Sequence, residues 1–542
     1  MTPNPLERRT LKPPMLHCRS KLDSQFSFRD EDNTESSTAI QPDAIHRAVG
    51  REPWFYQTLS IIVIGASGDL AKKKTYPSLL TLFESNLLPE DTVIWGYARS
   101  HKTHKELRDH LHPHLSKTGT SEIIIRDFLE KCFYHAGESY GDEEAYAELI
   151  ANVAKFEAST PSAGCNRLFY LAIPPNVFGE SGVAIKSVGM AMTGWTRIVI
   201  EKPFGRDLDS CNELLATLAD QFDEDHLYRI DHYLGKEVVQ NMLLFRFGNS
   251  IWEWMWNRNA IENVTFTFKE PFGTDGRGGY FDHYGIIRDI LQNHLLQVLS
   301  IFAMEPPEAD DGDAIRNAKT EVLRNMDPIR IEDTLLGQYD GYTDDPTIEN
   351  KDTNCPTYAA LRCWIHTPRW EGVPFILQAG KAMDEQLCEV RVRFKTPATL
   401  ASVRAQVKKL APNELVMRLQ PNPSLELHGN IKTPGLASSP MPAAMKMEYN
   451  DIPNMSNPDA YTRLLLDVLR GKKGSFVRDD ELRRSWELFT PLLHAIERDR
   501  IRPSIYKYGS SGPSERANWF EEMGKFQDQG MPTQSAPLQS AL

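Results

Sequence analysis

Ten consecutive residues, Tyr228-Arg229-Ile230-Asp231-His232-Tyr233-Leu234-Gly235-Lys236-Glu237, carry an imidazole, two phenols, a guanidinium, an ammonium and two carboxylates. Ile230 and Leu234 are the only aliphatic residues, so the stretch is not a plain buried strand. Gly235 marks a local turn, and the side chains before and after it can converge. His232, Tyr233 and Lys236 all donate hydrogen bonds, which is what an anionic group such as a phosphate requires. Asp231 has the chemistry to orient another residue's imidazole. A solvated polar turn between two elements explains the same ten residues equally well.

The elements that must position this stretch come before it. Leu59-Ser60-Ile61-Ile62-Val63-Ile64 is a short apolar, β-branched run closed by Gly65. That is the pattern of a strand buried on both faces. Residues 71–84 read as a helix and 91–97 as a second strand, which makes a β-turn-α-β unit. Helices are predicted over 105–115, 121–131, 143–156 and 208–219, and strands over 166–172, 196–200 and 227–230. Short apolar strands alternating with helices over 54–231 indicate one doubly wound α/β domain, Rossmann-like, with a parallel sheet. The last strand runs straight into the stretch above.

Beyond Lys236 the pattern changes. Val264, Phe266 and Phe268 alternate, as in a sheet with one covered face. Strands are predicted over 262–269, 358–366, 373–378, 389–394, 414–420 and 424–428, with helices over 237–244, 288–303, 460–469 and 479–498. This succession predicts an α+β domain over 232–510, largely antiparallel with flanking helices. Residues 1–53 are polar and proline-interrupted and read as a flexible extension, and 511–542, rich in Gly, Ser, Pro and Gln, read as a tail.

A glycine just after a buried strand, with a helix behind it, exposes backbone N–H groups at a positive helix end, which suits a pyrophosphate. Here the spacing is Gly65-x-x-Gly68-x-x-Ala71, not G-x-G-x-x-G. A tight turn with no ligand is the plain alternative, and no P-loop pattern aligns. The second strand ends in Gly96-Tyr97-Ala98-Arg99-Ser100. An NAD site would place an acid there for the ribose 2′-OH. Arg99 instead suits a 2′-phosphate, so the expected coenzyme is NADP. Lys202, in Glu201-Lys202-Pro203, emerges where open α/β sheets bind ligands, although a surface lysine fits as well. A cis peptide before Pro203 would aim it sharply.

The chain has 542 residues with a formal net charge of -13, which argues against nucleic acid as the main partner but not against a locally basic site for a small anion. No apolar run has the length of a membrane span, so no membrane partner is expected. The seven cysteines (Cys18, Cys132, Cys165, Cys211, Cys355, Cys363, Cys388) are scattered without paired C-x-x-C, so free thiols in a cytoplasmic setting and no metal site are expected. The last residues, Ser540-Ala541-Leu542, are similar to a peroxisome-type (glycosomal) address but lack its basic middle residue.

Six motifs in order resemble the glucose-6-phosphate dehydrogenase family from about Leu59 to about Glu515. They are residues 65–74 (Gly-Ala-Ser-Gly-Asp-Leu-Ala-Lys-Lys-Lys), 96–100 (Gly-Tyr-Ala-Arg-Ser), 201–205 (Glu-Lys-Pro-Phe-Gly), 229–236 (Arg-Ile-Asp-His-Tyr-Leu-Gly-Lys), 268–273 (Phe-Lys-Glu-Pro-Phe-Gly) and 288–297 (Arg-Asp-Ile-Leu-Gln-Asn-His-Leu-Leu-Gln). The resemblance implies hydride transfer from C1 of glucose 6-phosphate to NADP+. It places the general base on His294, with Asp231 orienting it, and Lys202 between coenzyme and sugar. Asp289 is five residues from His294, about 140° around an α-helix, so it is set aside as the orienter. It is expected to bind sugar hydroxyls with Glu270. His232, Tyr233 and Lys236 would hold the phosphate, with Lys381 and Gln420 lining the same pocket. On the coenzyme side Gly65, Ala66, Ser67, Gly68, Asp69, Leu70, Ala71, Lys72, Arg99 and Tyr170 match.

Two departures stand out. Gln386 replaces a basic residue that the family often carries. Gln378, Leu387, Glu426 and His428 stand where a second, structural NADP+ would need other residues, although Arg391 and Arg418 remain, so no functional second site is expected. The family forms dimers and tetramers, which implies a homo-oligomer. The long N-terminus together with this loss is similar to kinetoplastid members. Two other readings remain: another sugar oxidoreductase with a Glu-Lys-Pro motif, and a non-catalytic NADP-binding regulator.

Overall fold

All seven residues of β1 (Thr58–Ile64) are buried, because the strand is hydrogen-bonded on both edges and covered on both faces. The structure is a computed structural model and describes residues 43–162, 164–396, 410–436, 439–452 and 457–522. The strands β2 (Thr92–Ala98), β3 (Cys132–Ala136), β4 (Cys165–Leu171), β5 (Thr196–Ile200) and β6 (Leu227–Arg229) complete a six-stranded parallel sheet in the order β3-β2-β1-β4-β5-β6. This is the doubly wound order, with ligand sites at the carboxyl ends of the strands. The period-2 alternation of β1 divides its side chains between two cores. Ile62 and Ile64 join Leu149 and Val153 on one face, while Leu59, Ile61 and Val63 join Leu79, Leu107 and Phe128 on the other.

The second sheet has nine strands. β7 (Ile261–Lys269), β8 (Thr334–Tyr339), β9 (Tyr358–Cys363), β10 (Phe375–Gly380), β11 (Leu387–Phe394), β12 (Glu414–Gln420), β13 (Ser424–Lys432), β14 (Pro440–Glu448) and β15 (Ser504–Tyr506) lie in the order β14-β13-β12-β11-β7-β10-β9-β8-β15. It is antiparallel except at β7/β10, in the middle, and at β8/β15. One face packs on the helical segment Ile287–Ala303 through Leu295, Leu296 and Leu299, as the alternation of Val264, Phe266 and Phe268 predicts. Thr265 and Thr267 on the opposite face are buried too, and Gln378 donates to Thr267.

Three boundaries differ from the expectation. Asp43–Val49 is a helix with Val49 buried, and Glu52 is paired with Arg470 at 2.6 Å, so residues 43–53 belong to the packed structure. Arg516–Glu522 is also a helix, with Trp519 and Phe520 buried and Arg516 donating to Gln378. The helix Ala460–Arg470, read as part of the second domain, lays Leu464, Leu465 and Val468 on the coenzyme sheet beside Val199 and Tyr228. Its last carbonyls accept from Arg197 of β5. Cys18 and the C-terminal Ser-Ala-Leu lie outside the described residues. No helix among the described residues is long and apolar enough to cross a membrane.

Candidate active site

Two pairs of parallel strands end facing one another, and each pair delivers side chains side by side. In the first sheet Ile200 is opposite Arg229, and Ile230 N–H donates to Ile200 C=O at 2.9 Å. Lys202 and Asp231 therefore leave adjacent strand ends. In the second sheet Gly380 is opposite Lys269, and Glu270 N–H donates to Gly380 C=O at 2.9 Å. That sets Glu270 against Lys381, whose Nζ lies 2.6 Å from Glu270 Oε2. The peptide Lys202–Pro203 is cis, as is Gln420–Pro421.

Between the two pairs runs Ile287–Leu295, and it winds as a π-helix rather than an α-helix. Its hydrogen bonds close i to i+5, so residues five apart stand one turn apart. This overturns the α-helical expectation that Asp289 and His294 face away from each other. Lys202 Nζ donates to Asp289 C=O at 3.0 Å and sits 3.4 Å from Asp289 Oδ1, and Lys381 Nζ is 3.7 Å from Asp289 Oδ2. Glu270, Lys381, Asp289 and Lys202 thus form a chain of alternating charge. Burial alone would raise the Asp289 carboxyl, but Lys202, Lys381 and His294 bring it below its ordinary value.

His294 Nδ1 lies 2.6 Å from Asp231 Oδ1, and both side chains are buried. The same Asp231 oxygen accepts from Tyr233 N–H at 2.9 Å. Burial works against a charged Asp231, but the hydrogen bonds from His294 and the Tyr233 N–H outweigh it and hold the carboxyl well below its usual range. Burial also pushes the His294 imidazole below its ordinary value, with Asp231 pulling the other way. The pair is therefore an ionised carboxylate facing a neutral imidazole.

His232 and Tyr233 pack around the imidazole. The His232 and Tyr233 rings are each 4.5 Å from the His294 ring, centre to centre, and Tyr461 stacks on His232 at 5.8 Å. Burial drives the His232 imidazole well below its ordinary value, so it is neutral here. Lys236 lies 4.8 Å over the Tyr233 ring and donates to Gln420 Oε1 at 2.7 Å. The sequence-predicted Gln420 thus joins the cluster from the end of β12.

The coenzyme side is built from backbone. Gly65 has φ +88°, and a Cβ there would come 2.4 Å from the Ala172 carbonyl oxygen. Gly65 N–H donates to Tyr97 C=O and Gly68 N–H to Gly65 C=O, which turns the chain from β1 into the helical segment that starts at Ala71. Ala66 is buried beneath Gly96, where a Cβ would come 2.7 Å from the Ala66 Cβ. Ser67, Gly68 and Leu70 are half-buried and Asp69 is exposed. Lys72 and Lys73 each pair with Asp69 at 2.8 Å. Arg99 is exposed just past β2, its guanidinium 5.1 Å over the Tyr140 ring. A turn that excludes side chains, with an exposed cation at the next strand end, fits a dinucleotide 2′-phosphate.

Tyr170 is wholly buried, and its phenol donates to Glu201 Oε1 at 2.5 Å. It underpins the end of β5 rather than lining an open surface. Glu201, which carries no expected role from sequence, is buried beside Lys202, and burial pushes its carboxyl up to about 7. Its position inside the Glu-Lys-Pro motif was the available signal. Tyr461 had no local signal, since it lies far along the chain.

Comparison with known proteins agrees with this geometry. Residues 62–241 match the model for the glucose-6-phosphate dehydrogenase NAD-binding domain and 243–527 the model for its C-terminal domain. The chain is 46% identical over 473 residues to the chloroplastic glucose-6-phosphate 1-dehydrogenase of Solanum tuberosum, covering 84% of this chain and 81% of that one. It is 45% identical to the cytoplasmic isoform of the same plant, covering 87% and 93%. A solved glucose-6-phosphate dehydrogenase in complex with its substrate glucose-6-phosphate superposes with a TM-score of 0.82 at 42% identity, covering 87% of this chain and 98% of that one. With both domain models matched in order and relatives this similar along most of their length, the chain belongs to the glucose-6-phosphate dehydrogenase family.

Proposed function

We propose that His294 is the general base with which this chain oxidises glucose 6-phosphate at C1, the hydride passing to NADP+ to give 6-phosphogluconolactone and NADPH. The observation that carries the reading is the buried 2.6 Å contact between His294 Nδ1 and Asp231 Oδ1. An ionised carboxylate can only accept, so the ring proton sits on Nδ1 and Nε2 keeps its lone pair for the substrate hydroxyl. A neutral imidazole is ready to take that proton near pH 7. The imidazolium then formed is stabilised by the facing Asp231.

The other residues divide by chemistry. Asp289 and Glu270 accept from sugar hydroxyls, which take over the lysine contacts these carboxylates make in the free site. Lys381 bridges the two carboxylates and Lys202 pairs with Asp289, so both carboxylates are neutralised, with Lys202 also at the seam toward the coenzyme. Lys236, His232 and Tyr233 donate to the phosphate, and Gln420 holds Lys236. Gly65, Ala66, Ser67, Gly68, Asp69, Leu70, Ala71 and Lys72 cradle the pyrophosphate, while Arg99 takes the 2′-phosphate. Tyr170 acts from beneath through Glu201.

The test is His294→Asn, followed by NADPH absorbance with glucose 6-phosphate and with unphosphorylated glucose as control. Turnover should fall by about 10²–10⁴ with the Michaelis constant for glucose 6-phosphate nearly unchanged. Near-normal turnover would sink the assignment.

Two further readings have structural support. Arg391 is paired with Glu389 and Glu414, and Arg418 with Glu389, so these cations are already neutralised without a second coenzyme. Ile431, Met441, Met445 and Met447 are exposed at the β13–β14 edge, an apolar surface suited to pairing two copies of the chain. A cytoplasmic setting draws its support from the cytoplasmic isoforms among the relatives.

A further inference from the structure

Asp231 uses only one of its two carboxylate oxygens. Oδ1 accepts from His294 and from Tyr233 N–H, while Oδ2 is buried and receives no donor from the protein. Behind Asp231 lies a cavity of about 30 Å³, between Lys202–Gly205, the continuation of the His294 helix and the helix Asp479–Arg498. Gln297 lines the same cavity, and its Oε1 is also buried without a protein donor. Both residues are 3% exposed.

Several polar groups of the wall are already satisfied. Gln292 Nε2 donates to Ser485 Oγ, which donates to Leu482 C=O. Trp486 Nε1 donates to Phe204 C=O, and Asn293 is bonded on both sides, to Arg288 C=O and from His294 N–H. Asp231 Oδ2 and Gln297 Oε1 remain as two buried acceptors without a protein donor. Buried acceptors without donors are rare, and a polar cavity of this size takes a water. A water has two hydrogens and matches the count.

We propose that this cavity holds one ordered water that donates to Asp231 Oδ2 and to Gln297 Oε1, and that Gln297 is thereby a positioning residue for the Asp231–His294 pair. The water fixes the plane of the carboxylate so that Oδ1 stays on His294 Nδ1. It also solvates the anion, which otherwise has only Oδ1 contacts. The charged and titratable groups around the pair are His232 and Tyr233 from its own segment, Glu201 and Lys202 from the end of β5, Asp289 from the π-helix, and Tyr461 from the helix Ala460–Arg470. None of these occupies Asp231 Oδ2.

The proposal rests on the reading of Asp231 and His294 as the acid–base pair, and its test is separable from that one. Gln297→Met keeps the side-chain length and removes the acceptor. Without the water the carboxylate is less well solvated, so proton uptake by the pair becomes easier. The acid limb of the kcat/KM profile should then move to higher pH by about one unit. The Michaelis constant for glucose 6-phosphate should change little. A high-resolution crystal structure of the unaltered enzyme should show density about 2.5–3.0 Å from both oxygens. An empty cavity overturns the proposal, as does an unmoved acid limb in a folded Gln297→Met. Should that variant fail to fold, the density in the unaltered enzyme decides alone. If His294→Asn keeps its turnover, the acid–base reading itself falls.

Discussion

The coenzyme end and the substrate end of this site are built in opposite ways. At the proposed coenzyme end the recognising surface is backbone, turned at Gly65, and its charges on Asp69, Lys73 and Arg99 are exposed, with Lys72 half-buried. At the proposed substrate end it is side chains, already paired: Asp231 with His294, both buried, and Glu270 with Lys381 and Lys202 with Asp289, half-buried. Exposed ion pairs are screened and worth little, whereas buried groups are strongly shifted by one another. Positioning at the first end is therefore a matter of chain geometry. At the second it depends on a network in which each group sets the charge of the next.

The largest expected effect that separates the two ends concerns Glu201, below the substrate side. Its carboxyl is raised from an ordinary 4.5 to about 7 by burial. The folded protein therefore prefers the protonated form. That preference stabilises the fold fully below about pH 4.5 and is lost as pH rises to about 7, an amount on the order of 3 kcal/mol. Thermal unfolding of Glu201→Gln should lose this slope between pH 5 and 7, while exposed Asp69→Asn should leave it unchanged. Equal slopes in the two variants would remove the contrast. On the backbone side, Gly65→Ala should cost at least roughly 1–2 kcal/mol for the left-handed φ alone, before its contact with Ala172 is counted. Measured KM for NADP+ should rise by tens of fold, with that for glucose 6-phosphate moving far less. The smallest change is Arg99→Ala, for which the KM for NADP+ should rise about tenfold, roughly 1.4 kcal/mol. The KM for NAD+ should barely move, and an equal rise for both would end the 2′-phosphate role.

This division also explains what could be read from sequence. Gly65-x-x-Gly68-x-x-Ala71 between a β-branched run and a helix is a local pattern with a local cause, and the strands and helices of the first sheet follow from it. The short β3 and the helical turns over 178–189 were not anticipated, since neither carries a strong period. In the second domain the helix Gly312–Arg324 and the strands β8, β14 and β15 were missed, β14 because an exposed edge strand lacks a buried alternation. The site residues came from motifs, not periodicity. What no 3.6-residue pattern reveals is the π winding of Ile287–Leu295, which turns Asp289 toward His294. Glu201, Tyr461 and Gln297 were passed over because their parts depend on neighbours distant in sequence. The helix Arg516–Glu522 was hidden behind a Gly-Ser-Pro segment that looks like a tail.

The return of the helix Ala460–Arg470 to the first sheet bears on how the chain emerges during synthesis. Val199, Tyr228 and Ile230 are covered by Leu464, Leu465 and Val468, which are made about 230 residues after the last strand of that sheet. At about 5–20 residues per second the coenzyme half waits on the order of tens of seconds with an apolar face uncovered. A fragment ending near residue 231 should therefore expose this face and be poorly soluble on expression.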